Sequence, residues 1–184
     1  MRTSLGWMLA ALTACSADPS ASYLARDPCA VLAVTPIDAT PVELDGIVAA
    51  FALWRDHGVS AFDAIPTAAI PATAARPDDA IPTGAMADDV GPIAIRFDDA
   101  AETFHGVYDP PSATITINRA LTDRPTLAIV IAHELGHVFG LAHVAAATRA
   151  SLMNPGNLAT PPTDADQRTL EALWGTCPGA ARGP

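Results

Sequence analysis

Apolar residues recur along this chain in two periods, and the switches between them outline its elements. Ala30 to Thr35 is a short apolar run that reads as a strand. Leu44, Ile47, Val48, Phe51 and Trp54 then recur at helical spacing, with Glu43, Asp45, Arg55 and Asp56 on other faces. That pattern predicts an amphipathic helix of about 14 residues, ended by Gly58, with Trp54 in the core. Val59 to Phe62 predicts a second short strand. Ile93, Ile95 and Phe97 alternate as a strand should. The turn Tyr108-Asp109-Pro110-Pro111 separates Phe104–Tyr108 from the β-branched Thr114-Ile115-Thr116-Ile117, which reads as one arm of a hairpin.

Two more helices follow. From Asp123 and Pro125 onward, Leu127, Ile129, Val130, Ile131, Leu135 and Val138 leave almost no polar face, so this helix is buried. Pro125 suits its first turn and Gly140 a left-handed stop. Thr163 with Asp166 forms a capping-box pattern that opens the last helix, whose apolar side is Leu170, Leu173 and Trp174 and whose end is Gly175. Residues 64–92 are rich in alanine, proline and aspartate without period and read as a long surface excursion. No internal repeat is present.

At 184 residues the chain has room for one domain with a proper core. Half of it is apolar and 16% is charged, which marks a globular protein. Net charge is −10, all ten basic residues are arginine and no basic run exists, which argues against a nucleic-acid partner. Met1-Arg2, the apolar stretch Leu5–Leu12 and the small residues beyond it form a targeting segment too short to span a bilayer. Leu12-Thr13-Ala14-Cys15 resembles a bacterial lipobox, which places a signal peptide at 1–14 and a lipid anchor on Cys15. Ordinary secretion with cleavage near Ala17 is the alternative. In either case the mature chain is exported. A tether over 15–28, a domain over 29–177 and a tail over 178–184 complete the division.

With Cys15 acylated, Cys29 and Cys177 remain as one possible pair bracketing the domain. Export permits a disulfide between them, and two unpaired thiols are the alternative. No CxxC spacing exists to make a cysteine zinc site.

The chemistry concentrates in His133-Glu134-Leu135-Gly136-His137-Val138-Phe139-Gly140-Leu141-Ala142-His143. Histidines four apart on a helix leave one face one turn apart, which suits two ligands of a single zinc ion. Gly140 lets the chain turn back, so that a loop delivers His143 as third ligand. Three protein ligands leave one position for water, the arrangement of a catalytic site. Glu134 follows the first ligand, placed to act on that water. A buried apolar helix has no other reason to carry these polar groups, which are costly there unless compensated. Chance occurrence of the full pattern is on the order of one in a hundred thousand chains at average His, Glu and Gly usage, so coincidence is set aside.

This segment matches the long zinc motif of the metzincin metalloproteases, and Ser151-Leu152-Met153-Asn154-Pro155 resembles their Met-turn. Element order over residues 30–175 is similar to that of the matrixins. The resemblance implies an α+β fold: a mixed twisted sheet with an antiparallel edge strand, an active-site helix, a Met-turn and a C-terminal helix. It implies a zinc-dependent endopeptidase with Glu134 as general base and Met153 beneath the ligands. It also implies a protein or peptide substrate, aligned along an edge strand assigned to Thr114–Ile117. A monomer is expected.

The chain departs from the matrixin pattern at several points. Val144 stands where Ser or Thr usually follows the third histidine, and Pro155-Gly156-Asn157 replaces Pro-x-Tyr. No cysteine switch is visible, and only His57 and His105 lie outside the motif. Calcium at the pairs Asp78-Asp79, Asp88-Asp89 or Asp98-Asp99 is possible but unsupported, because none forms an EF-hand loop. The rival to an endopeptidase is a non-catalytic or single-substrate surface metal-binding module on the same fold.

Overall fold

The computed structural model of the protein describes residues 25–62 and 91–178. The targeting segment, Cys15, most of the tether, nearly all of the excursion, Asp78-Asp79, Asp88-Asp89 and almost all of the tail lie outside the described residues. The elements run β1 (Val34–Ile37), α1 (Pro41–Arg55), β2 (Ile93–Asp98), β3 (Gly106–Asp109), β4 (Thr114–Asn118), α2 (Arg124–Val138) and α3 (Asp164–Trp174). They form an α+β fold around a mixed four-stranded sheet of order β1-β2-β4-β3. β1 and β2 are parallel, as are β2 and β4, and β3 pairs antiparallel with β4.

This order corrects the assignment of the edge. Thr114–Asn118 lies inside the sheet, bonded to β2 on one side and β3 on the other. The outermost strand beside it, among the described residues, is Gly106–Asp109, held in hairpin register Gly106↔Ile117 to Asp109↔Thr114. The alternation Thr-Ile-Thr-Ile serves an interior strand well, since Ile115 and Ile117 are both fully buried. Val59–Phe62 is not a strand either. It is a turn whose Val59, Ala61 and Phe62 are buried and whose Ala61 exchanges backbone bonds with Leu32 and Pro28. Burial in a turn, outside any strand ladder, accounts for the apolar run. The first strand sits further on than the apolar run beginning at Ala30, because the ladder to β2 starts at Val34.

Each helix begins where a side chain can take up its free amides. Thr40 and Glu43 form a capping box for α1, with Pro41 in the first turn. Asp123 accepts the Thr126 amide at the start of α2, with Pro125 in its first turn. Thr163 and Asp166 form the capping box of α3, and Gly175 closes it at positive φ. α1 packs along α2: Leu127 fills the space at Gly46, and the Trp54 indole donates to the Ala132 carbonyl at 2.9 Å. Phe51, Phe62, Phe139 and Trp54 make a run of stacked and edge-on rings beneath. α3 contributes less to this core than its sequence predicts. Leu170 is buried, but Leu173 is 56% exposed and Trp174 37%. The Trp174 ring lies at the rim with its indole donating to the Phe139 carbonyl at 2.9 Å.

No helix among the described residues is long and apolar enough to cross a membrane. Cys29 and Cys177 form a disulfide across 148 residues of chain. Ala25 to Pro28 lie against the same body, the Arg26 amide donating to the Val138 carbonyl at 2.8 Å. Closing so long a loop restricts the unfolded chain, by about 5 kcal/mol on the chain-entropy account. Replacing both cysteines by serine should lower stability by about 2–5 kcal/mol, read as a fall in the denaturant midpoint. An unchanged midpoint would show that the bond contributes nothing.

Candidate metal centre

α2 runs buried through the core and carries His133, Glu134 and His137 on its last two turns. Its end is a full accounting of carbonyls that the helix itself leaves open. Phe139 donates back to Leu135, Leu141 to Gly136 and Gly140 to His137, while Arg26 and Trp174 supply donors to Val138 and Phe139. Gly140 takes φ +91°, a left-handed turn that a side chain would strain, and a Cβ there would also meet Ala25. The reversal brings His143 back over the helix.

The three imidazoles converge. His143 Nε2 lies 3.2 Å from His133 Nε2 and 3.1 Å from His137 Nε2. The other nitrogens of the helical pair face carbonyls: His133 Nδ1 is 2.7 Å from the Leu152 oxygen and His137 Nδ1 2.8 Å from the Leu141 oxygen. A carbonyl only accepts, so both Nδ1 atoms carry the proton. Both Nε2 atoms then present bare lone pairs to the same point. Burial lowers His133 and His137 to about 4, and desolvation lowers His143 as well, so all three rings are neutral near pH 7. One His143 proton cannot serve two facing lone pairs, whereas a cation serves all three. Tetrahedral zinc with bonds near 2.05 Å places ligand nitrogens about 3.3 Å apart, close to the spacing found. The donor set therefore fits a zinc-like divalent ion. These three histidines are the only such cluster among the described residues.

Met153 packs on α2 against Gly136, which lies between the two helical histidines. A Cβ on Gly136 would stand 2.5 Å from the Met153 sulfur, so glycine between the two helical ligands lets the methionine lie close against the helix. Ser151, Leu152 and Met153 are all buried, and Met153 accepts the Val144 amide at 2.9 Å. Val144 thus braces the loop through its backbone, which the departure from Ser or Thr at that position leaves intact.

Glu134 is buried against β3. Its carboxyl accepts the Tyr108 amide, and a Cβ at Gly106 would stand 3.1 Å from its Oε1. Burial pushes this carboxyl up to about 8, with the Tyr108 bond opposing. Neither His57, whose Nδ1 faces the Leu53 carbonyl, nor His105 joins the cluster. Asp98 pairs with Arg96 at 3.0 Å.

Several residues that build the site had no sequence signal. The Leu152 and Leu141 carbonyls and the Tyr108 amide are backbone groups, invisible in side-chain identity. Asp166 had a signal, its capping-box spacing, but that pattern speaks only of α3. In the structure its carboxylate also accepts the Leu152 amide at 2.9 Å and pairs with Arg149 at 2.9 Å. No protein-family model matches the chain, and no curated protein matches it in sequence.

The displaced titrations have a measurable consequence in metal-free protein. A carboxyl whose folded value lies near 8 imposes no penalty below its ordinary value of 4.5 and destabilises progressively as pH rises between the two. The histidines, lowered from 6.5, act in the opposite sense as pH falls from there towards 4. Comparing metal-free Glu134→Gln with wild type isolates the carboxyl. The variant's relative stability should increase steadily from about pH 5 to pH 8, by on the order of 1.4 kcal/mol per pH unit at most. A difference that does not change with pH would contradict the buried carboxyl.

Proposed function

We propose that this chain is an exported zinc-dependent endopeptidase of the metzincin type. The observation that carries the reading is the convergence of three neutral imidazole nitrogens beside a buried glutamate on the same helix. Such a site holds three ligands and leaves a position open, which structural zinc sites do not. The disulfide accords with an oxidising compartment, and lipid anchoring at Cys15 belongs to the same proposal.

His133, His137 and His143 would hold the ion, and zinc so held supplies Lewis acidity towards a carbonyl and lowers the pKa of its water towards 7. The remaining work falls to the chain. Glu134 takes a proton from the attacking water and returns it to the departing amine, base first and acid second. Its burial matches this double role, because desolvation raises its proton affinity towards the working pH. β3, the outer strand of the sheet among the described residues, would align an extended peptide over α2 through backbone bonds. The substrate-aligning strand in this reading is Gly106–Asp109 in place of Thr114–Ile117, which lies inside the sheet. Gly106, without a side chain on the Glu134 side, keeps that strand close to the general base.

Casein and a mixed peptide library, each with and without a chelator, test the activity. Wild type should cleave and lose cleavage when the metal is removed. Glu134→Ala should keep one zinc per chain and lose at least about a hundredfold in rate. His137→Ala should lose the zinc. Full activity in Glu134→Ala would overturn the mechanism. A zinc-loaded wild type that cleaves nothing would favour the non-catalytic or single-substrate module instead.

A further inference from the structure

Asp166 lies at the third position of α3, 1% exposed, and its carboxylate is more heavily bonded than a helix cap requires. Oδ2 accepts the Thr163 amide at 3.0 Å, the Thr163 hydroxyl at 2.8 Å and the Leu152 amide at 2.9 Å. Oδ1 accepts the Ser151 hydroxyl and the Arg149 guanidinium. Ser151 in turn takes the Met153 amide on its oxygen at 3.0 Å. The loop from 149 to 153 is therefore gathered onto one buried carboxylate. Leu152 is the connection that matters. Its amide donates to Asp166, and the same residue's carbonyl accepts His133 Nδ1–H at 2.7 Å.

We propose that Asp166 is a positioning residue for the metal centre, acting through Leu152 to fix the tautomer, orientation and basicity of His133. Partners that hold the outer nitrogen of a metal-ligating histidine raise its ligand strength. Here the partner is a carbonyl, and the carboxylate behind it steadies that carbonyl at a distance of one residue. A charge-assisted bond to the Leu152 amide is also stronger than a neutral one, so the loop is held in one place. His137 supplies an internal comparison. Its outer nitrogen bonds Leu141, a residue with no bond to Asp166. Glu43 supplies an external one. It too is a buried carboxylate in a capping box and pairs with an arginine, Arg119, but its bonds run to Thr40 and not to the metal loop.

The inference rests on the metal-binding reading but not on peptidase activity, so its test uses the metal-free chain and zinc alone. Zinc affinity is measured by competition with a chromophoric chelator, and the Nδ1 proton resonances of His133 and His137 are recorded without metal. Asp166→Asn should weaken zinc binding by about ten- to a hundredfold. It should also move the His133 Nδ1 proton upfield and leave that of His137 in place. Ser151→Ala, which removes one donor to Asp166 and the acceptor of the Met153 amide but keeps the bond from the Leu152 amide to Asp166, should give a smaller weakening of the same sign. It decides the matter if Asp166→Asn does not fold. Glu43→Gln should lower thermal stability and leave zinc affinity within twofold of wild type. Wild-type zinc affinity in the folded Asp166 and Ser151 variants would overturn the proposal. So would a loss of zinc affinity in Glu43→Gln equal to that in Asp166→Asn.

Discussion

Two nitrogen lone pairs aimed at one point, with a third imidazole nitrogen facing both, cannot all be satisfied by a single proton in a part-buried site. The fold imposes this convergence on His133, His137 and His143 all the same, with Nε2 separations of 3.1 and 3.2 Å to the last of them. Two backbone carbonyls, of Leu152 and Leu141, hold the protonated sides of the helical pair and so dictate where the bare sides point. A metal ion serves all three at once. The glycine beneath the methionine, the turn at Gly140 and the burial of α2 make sense as support for one coordination point.

That support is drawn from across the chain. α1 fixes α2 through the Trp54 indole, and the sheet presents β3 to Glu134. The loop carrying Leu152 and Met153 is tied to α3 at Asp166. The carbonyls left open at the end of α2 are taken up by Arg26 near the start of the folded body and Trp174 near its end. Cys29 and Cys177, close to those two residues in sequence, are joined. The terminal segments therefore act on the histidine loop directly. The helix that carries two ligands and the loop that carries the third are thus braced by different parts of the chain.

The ligands were legible in the sequence for a geometric reason: four residues are close to one helical turn, and glycine permits the reversal that follows. The same holds for α2 and α3, whose caps are written in Asp123, Thr163 and Asp166. Strand order was not legible. Thr114–Ile117 and Phe104–Tyr108 are adjacent arms of one hairpin, and which arm lies at the edge depends on pairing with Ile93–Asp98, which hydrophobic alternation does not encode. Val59–Phe62 shows the converse: an apolar run can be buried as a turn as readily as in a ladder. Leu173 continues the apolar spacing of α3 but is exposed, because that end of the helix rests on the rim of α2 and not over the core. The relay from Asp166 to His133 passes through the backbone of Leu152, its amide on one side and its carbonyl on the other, where sequence carries no mark at all.

Zinc K-edge X-ray absorption of the purified chain reads the central claim most directly, because it counts donor atoms around the ion. Three imidazole nitrogens and one oxygen at about 2.0–2.1 Å are the predicted shell. A chain that stays metal-free after exposure to zinc, or a shell containing sulfur or fewer than three imidazoles, would contradict it.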